Sequence, residues 1–403
     1  MFRISQYMKA LTTPDAKIRS GKPAGPVVIW NLVRRCNLTC KHCYSVSADI
    51  DFPGELDTSQ VFTVMDDLST FHVPVLILSG GEPLLRPDIY EISKRAKQMG
   101  FFVGLSTNGT LIDEENIEKI AAVGYDYVGI SIDGMRETHD KFRQKQGAFD
   151  ASMRAIRLCH DRGLKVGMRF TPTQDTADEL PKILQLMDEE NVDKLYVSHL
   201  NYGGRGNRNR RTDVVHNTTR KLMTLLFDQC WKDLQVGRER EYVTGNNDAD
   251  GVFLLHWVRK HMPEQADKMQ TMLEAWGGNS SGVNIANIDN LGNVHPDTFW
   301  WNYNLGNVKE RPFSDIWQDT SDPLMAGLKQ SPRPLKGRCG VCQYQSICGG
   351  NTRVRAFQMT GDPWWEDPAC YLHDEELGIS REDYAMDKPE ATDLEVRVIK
   401  RAS

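Results

Sequence analysis

Three cysteines, Cys36, Cys40 and Cys43, fall within the stretch RRCNLTCKHCYS. The spacing Cys-x3-Cys-x2-Cys offers three thiolates to one centre and leaves it short of a fourth protein ligand. Structural zinc takes four ligands, usually as two separated pairs, and no second pair lies nearby. A four-iron cubane held by three cysteines keeps one iron open to an exogenous ligand, so iron-sulfur is the favoured reading and zinc the rival. A second set, Cys339, Cys342, Cys348 and Cys370, reads Cys-x2-Cys-x5-Cys-x21-Cys. Four ligands suit a closed iron-sulfur cluster or a zinc ribbon. Cys159 and Cys230 stand alone. Nine cysteines, seven of them in two clusters, argue for metal chemistry in a reducing compartment, and the expected location is cytoplasmic.

Positioning these groups calls for a scaffold with several strand ends on one side. From Val27, short β-branched runs alternate with amphipathic helical stretches. The strand-like runs are VVIWNL, PVLILS, FFVGLS, YDYVGISI, LKVGMRF and KLYVSHL, with helix-like stretches such as TSQVFTVMDDLSTF and ELPKILQLMDEEN between them. Six such units predict an α/β fold with a parallel sheet, doubly wound or curled into a partial barrel, whose ligands bind beyond the carboxyl ends of the strands. The cysteine loop follows the first strand, SGGEPLL the second, STNGT the third and SIDGM the fourth. Taken singly, each is ordinary turn chemistry, since Asn-Gly and Asp-Gly are turn dipeptides.

The chain of 403 residues is long enough for two or three domains. The expected division is an N-terminal segment (1–25), an α/β domain (26–212), a mostly helical bridge (213–280) with a loop at Tyr242 to Gly251, a smaller α+β domain (281–373) entered by a hairpin near Asn290 to Gly292, and a charged tail (374–403). The net charge of -6 gives no general attraction to nucleic acid or anionic membranes. No apolar run approaches membrane-spanning length, and Arg3, Gln6 and Lys9 interrupt what would be a signal peptide core. Neither nucleic acid nor membrane is an expected partner.

The constellation as a set resembles the radical S-adenosylmethionine (SAM) superfamily, with its cysteine spacing after the first strand of a partial (β/α)6 barrel; His42 stands where that family usually has an aromatic residue. The resemblance implies that a 4Fe-4S cluster on Cys36, Cys40 and Cys43 chelates SAM through its amino and carboxylate groups and cleaves it to a 5'-deoxyadenosyl radical. It implies SAM contacts from Gly80, Gly81 and Glu82 at the methionine end, and from Ser106, Asn108, Ser131, Asp133 and Arg143 toward ribose or carboxylate. The second cysteine set, with NIDNLGNVHPDTF and NLGNVKERPFSDIW before it, resembles the SPASM or twitch C-terminal extension and implies an auxiliary 4Fe-4S cluster. Ser280 or Ser281, Asp297 and Thr352 stand where fuller versions carry further cysteines, so two clusters in all are expected. Structural zinc remains the alternative at the second site.

Longer segments, including VPVLILSGGEPLLRPDIYEIS and CGGNTRVRAFQMTGDPWWEDPACYL, resemble the radical SAM enzymes of heme d1 biosynthesis from Met1 to about Leu372. That resemblance implies an iron tetrapyrrole substrate, didecarboxysiroheme, loss of two propionate side chains, and an electron donor the sequence does not identify. Related enzymes of the alternative heme pathway and peptide-modifying SPASM enzymes are the alternatives within the class, and a non-catalytic zinc scaffold lies outside it. Arg205, Arg208, Arg210 and Arg211 form a cationic loop suited to propionates. Trp300, Trp301, Tyr303, Trp364 and Trp365 are candidate walls for a flat macrocycle, and His199, His216, His256 and His295 are candidate ligands to its iron.

Overall fold

The computed structural model describes residues 1–13 and 25–384. Ten strands form one sheet: β1 (Val27–Asn31), β2 (Val75–Ser79), β3 (Phe102–Thr107), β4 (Tyr127–Ser131), β5 (Val166–Phe170), β6 (Lys194–Ser198), β7 (Glu241–Gly245), β8 (Ile285–Ile288), β9 (Asn293–His295) and β10 (Gly306–Asn307). Their order is β10-β9-β8-β1-β2-β3-β4-β5-β6-β7. Strands β1 to β7 run parallel in sequence order, β8 joins parallel to the free edge of β1, and β9 and β10 return antiparallel. The fold is the expected α/β partial barrel. The six predicted strands and the helices between them are all present.

Alternation along each strand sorts two faces. Val28, Trp30, Leu76, Leu78, Val103, Leu105, Val128 and Ile130 pack with Val61, Met65, Leu68, Ile89 and Ile92 of the covering helices in one core. The helix Thr58–Thr70 shows how local signals place a layer. Asp57 and Gln60 form a reciprocal capping box at its start, and Val61, Val64, Met65 and Leu68 make its buried stripe. The opposite face of the sheet carries Asn31, Ser79, Gly104, Ser106, Gly129, Ser131, Gly167 and Arg169. Glycine is demanded there by the rings it faces: a Cβ on Gly167 would lie 2.6 Å from the Tyr127 hydroxyl, and one on Gly245 2.1 Å from that of Tyr196.

The loop expected at Tyr242 to Gly251 is a correction. Its first half is β7, in register with β6 from Lys194↔Glu241 to Ser198↔Gly245, and its second half enters the helix Ala249–His261. The five strand residues EYVTG are too few for a periodic signal, so tertiary pairing decides. The N-terminus closes on the same strand, with Phe2 and Thr244 exchanging backbone hydrogen bonds of 2.7 and 2.8 Å. The expected hairpin is present as β8 and β9, where Asp289 Oδ1 accepts from Leu291 N and Asn293 N. The sheet therefore runs unbroken across the divisions drawn at residues 212 and 280. Of the charged tail, Asp374–Leu377 is a short helix and Arg381–Tyr384 a 3-10 turn; residues 385–403, like most of the N-terminal segment past Thr13, lie outside the described residues. Among the described residues no helix is long and apolar enough to cross a membrane.

Candidate active site and second cysteine centre

The chain leaves β1 into the cysteine loop, and the SGGEP turn after β2 clamps that exit. Gly81 N donates to Val33 O at 2.6 Å and Glu82 N to Arg35 O at 2.9 Å. A Cβ on Gly80 would lie 2.3 Å from Val33 O, and one on Gly81 2.2 Å from Arg35 O. The close approach these glycines permit is thus to the cysteine loop's own backbone, where the sequence reading gave it to a ligand. Glu82 is fully buried; Oε1 accepts from Thr107 Oγ1 and Leu84 N, and Oε2 from Asn108 N. Burial raises its pKa to about 7 against the pull of these donors. By count, one of four carboxylate lone-pair directions stays free.

Cys36 and Cys40 are buried, and Cys43 packs against them with Leu38. Each sulfur meets donors. Leu38 N lies 3.4 Å from Cys36 Sγ and Asn108 Nδ2 3.9 Å from it; Arg143 Nη1 lies 3.6 Å from Cys40 Sγ; Ser45 Oγ lies 3.3 Å from Cys43 Sγ. Burial pushes the Cys36 thiol up to about 12, and raises Cys40 although Arg143 opposes the shift. Thiols so placed ionise when a cation binds them, which is the chemistry of a metal-sulfur centre. Asn108 also donates to Asn37 Oδ1 at 2.9 Å, tying the β3 end to the loop. Arg143 and fully buried Asp133 form an ion pair, so the arginine expected to meet a cofactor carboxylate already has one. Asp133 further accepts from Thr171 N at 2.8 Å. His42 stacks on Phe142 with centroids 4.7 Å apart, filling the aromatic slot. Ser131 ends β4 in register with Arg169, which donates to Ser106.

The cationic loop divides. Arg205 is a brace: its N donates to Cys43 O at 2.8 Å, Nε to Cys40 O at 2.7 Å and Nη1 to Ser47 O at 2.9 Å. Gly204 at φ +52° brings this segment so near that a Cβ would lie 2.3 Å from Tyr44 O. Asn209 adds a bond to Lys41 O at 2.7 Å. Arg210 leans on Asn207, and only Arg208 and Arg211 are exposed. The expectation of four free guanidinium forks is corrected to two, because carbonyls of the cysteine loop occupy the Arg205 fork.

Cys339, Cys342, Cys348 and Cys370 line a single cavity walled by Ala249, Val252, Leu335, Tyr344 and Leu372. Burial raises all four thiols, Cys370 to about 12. A donor set of four thiols on one apolar-walled cavity fits a closed metal-sulfur centre. Ser281 and Asp297, two of the positions where cysteines are missing, hydrogen-bond each other and are buried. Thr352 donates to Asn246 O at 3.1 Å. Among the described residues no group of three or more His, Cys, Asp or Glu side chains is drawn around one point as a single-ion site would be.

Trp300 is fully buried and packs with Tyr303, Phe357 and Trp364 in a satellite core. Trp365 is buried as well. Of the five aromatic candidates, Trp301 makes a ring contact with the cysteine loop: Tyr44 lies 6.0 Å from it and 5.5 Å from Phe299, which gives no signal in the sequence. The candidate histidines are engaged. His199 Nε2 meets Asp250 at 3.0 Å, His216 Nε2 meets Pro368 O at 2.9 Å, and His295 is held by Tyr303 O and Asp289 while stacking on Trp301. His256 packs edge-on to Tyr344, with its Nε2 buried and unpartnered among the described residues.

A partial α/β barrel with three cysteines after its first strand, clamped by glycines after its second, defines the class of protein. The description Radical SAM superfamily matches residues 30–187. The chain is 52% identical over 94% of its length to "Pre-heme d1 synthase" of Dinoroseobacter shibae, covering 94% of that protein, and 43% identical over 91% to "Fe-coproporphyrin III synthase" of Methanosarcina barkeri, covering 92% of it. Streptococcus suis SuiB bound to S-adenosylmethionine shares the fold, with a TM-score of 0.66 at 17% identity, over 87% of this chain and 78% of that one. The chain belongs to the radical SAM superfamily and is an enzyme of that family, which implies SAM and a 4Fe-4S cluster as cofactors.

Proposed function

We propose that this chain is a radical SAM enzyme of the heme pathway and, more narrowly, an enzyme of heme d1 biosynthesis of the NirJ kind, removing two propionate side chains from didecarboxysiroheme. The observation that carries this reading is the end-to-end 52% identity to a relative named for pre-heme d1 synthesis, higher than the 43% to one named for Fe-coproporphyrin III. In this reading Cys36, Cys40 and Cys43 hold the cluster that binds SAM, and cluster and SAM together supply one-electron reductive cleavage and a 5'-deoxyadenosyl radical. The chain's residues hold and insulate that centre. Arg143, Asn108 and Ser45 donate toward the sulfurs, offsetting the cost of burying thiolates. Glu82 keeps one lone pair for the SAM ammonium, while Ser106, Ser131 and Asp133 edge the same mouth.

Cys339, Cys342, Cys348 and Cys370 hold an auxiliary 4Fe-4S cluster in a SPASM-like extension. Four thiols on one cavity support it, and the Ser281–Asp297 pair accounts for a single auxiliary site. Arg208 and Arg211 remain free for propionates at the surface. The test is anaerobic turnover of the reconstituted protein with didecarboxysiroheme, read by mass. Loss of two propionates supports the reading; acetate loss or vinyl formation turns it toward the alternative heme pathway. No 5'-deoxyadenosine under any condition would sink the radical mechanism itself.

A further inference from the structure

The inner face of the barrel holds an arginine that touches no carboxylate among the described residues, although its charge is felt at Asp133. Arg169 lies on β5, in register with Ser131 of β4 and Tyr196 of β6. Its side chain crosses Gly129, where a Cβ would sit 3.0 Å from Arg169 Cδ, to donate through Nη1 to Ser106 on β3. Its Cζ lies 5.3 Å from the centroid of the Tyr196 ring. The buried arginines are answered by several acceptors: Arg86 has Asp88, Arg143 has Asp133, Arg240 has Asp188 and Arg355 has Asp367, while Arg333 and Arg353 are held by backbone carbonyls. Arg169 forms no ion pair among the described residues. A guanidinium cannot shed its proton and presents five donors, and a single serine hydroxyl satisfies one of them.

Its place narrows what could complete it. The neighbouring strand residue Ser131 belongs to the edge that carries the cysteine loop, and Ser106, which Arg169 meets, lies at the end of β3 on that same edge. The cations packed on the thiol loop, Arg143 and Arg205, are held by Asp133 and by backbone carbonyls, with Arg205 keeping one buried nitrogen, Nη2, without a partner among the described residues. We propose that Arg169 receives a carboxylate of the substrate inside the barrel and so sets which side chain lies beside the cysteine centre. This rests on the tetrapyrrole reading, in which the carboxylate is a propionate.

The methionine end of SAM also carries a carboxylate, and binding separates the two sources. Anaerobically reconstituted wild type, Arg169→Gln and Arg169→Lys are titrated with didecarboxysiroheme, followed by its Soret band, and separately with SAM, followed by the electron paramagnetic resonance of the reduced cluster. The proposal expects tetrapyrrole affinity to fall about tenfold or more in both variants, because lysine lacks the planar fork, with SAM affinity within about twofold and iron content unchanged. Unchanged tetrapyrrole binding in the well-folded Arg169→Lys protein overturns it. So does a loss confined to SAM, which would give the arginine to the methionine carboxylate. A wild type that leaves the Soret band unmoved refutes the tetrapyrrole reading, and the inference falls with it.

Discussion

The two cysteine regions are built in opposite ways. The first packs three thiols into one loop and adds to that loop's own Leu38 and Ser45 contacts from elsewhere: Asn108 from the end of β3, Arg143 from beyond β4, and Arg205 from beyond β6. The second spreads four thiols from Cys339 to Cys370 over short turns and surrounds them with apolar walls. Both depend on glycine where backbones meet. Gly81 admits Arg35 O to the first region, and Gly278 admits Cys348 O, 2.1 Å from where its Cβ would be, to the second. In the proposed reading, a centre that must take a ligand sits at a mouth lined by polar strand ends, and a centre with its ligands complete is closed over.

The sharpest way to break this contrast is to remove thiols. Replacing Cys36, Cys40 or Cys43 with alanine is expected to lower SAM cleavage by at least about a thousandfold, the loss of the electron source. Replacing Cys348 or Cys370 should leave measurable 5'-deoxyadenosine formation while ending tetrapyrrole turnover; equal loss in both sets, by chromatography of the products, would erase the distinction. Iron analysis comes next. The wild type should hold roughly eight irons with labile sulfide, and either cysteine set alone about four. Zinc at the second site would appear instead as about one zinc and four irons.

Glycine variants probe the same contrast with smaller effects. Gly81→Ala should destabilise the first region by about 2 to 4 kcal/mol and lose its cluster spectrum selectively, and Gly278→Ala should do so for the second. Smallest is the brace on β7, far from both. Burial works against ionised Glu241, but Lys165 and Lys194 outweigh it and hold its pKa down at about 2. Its folded pKa is below the unfolded value, so this contribution is present above about pH 4.5 and is lost as pH falls toward 2. Glu241→Gln should cost about 1 kcal/mol near neutrality, discounted for solvent screening, and nothing at the acid end; denaturant melts at several pH values check it.

Much of the scaffold was legible because the β/α units repeat period 2 and period 3.6 clearly from Val27 to His199. The cysteine positions and the strand ends beside them followed from that. What stayed hidden had no local signal. β7 is five residues of tertiary pairing between polar segments, and Arg205 looks like a free cation until its carbonyl partners are seen. Arg169 did leave a trace: a charge at the inward phase of LKVGMRF, in an otherwise apolar strand.

The sequence by itself determined the thiol inventory, three against four, since spacing and count are properties of the chain. It also determined the alternation that makes a parallel sheet. The tertiary structure alone decided which polar groups are spent and which are available. Arg143, Arg205 and Glu82 are engaged by partners from distant segments, whereas Arg169 is left with a hydroxyl. Hydrogen bonding and burial are set by what folds against a residue, and no spacing along the chain encodes that.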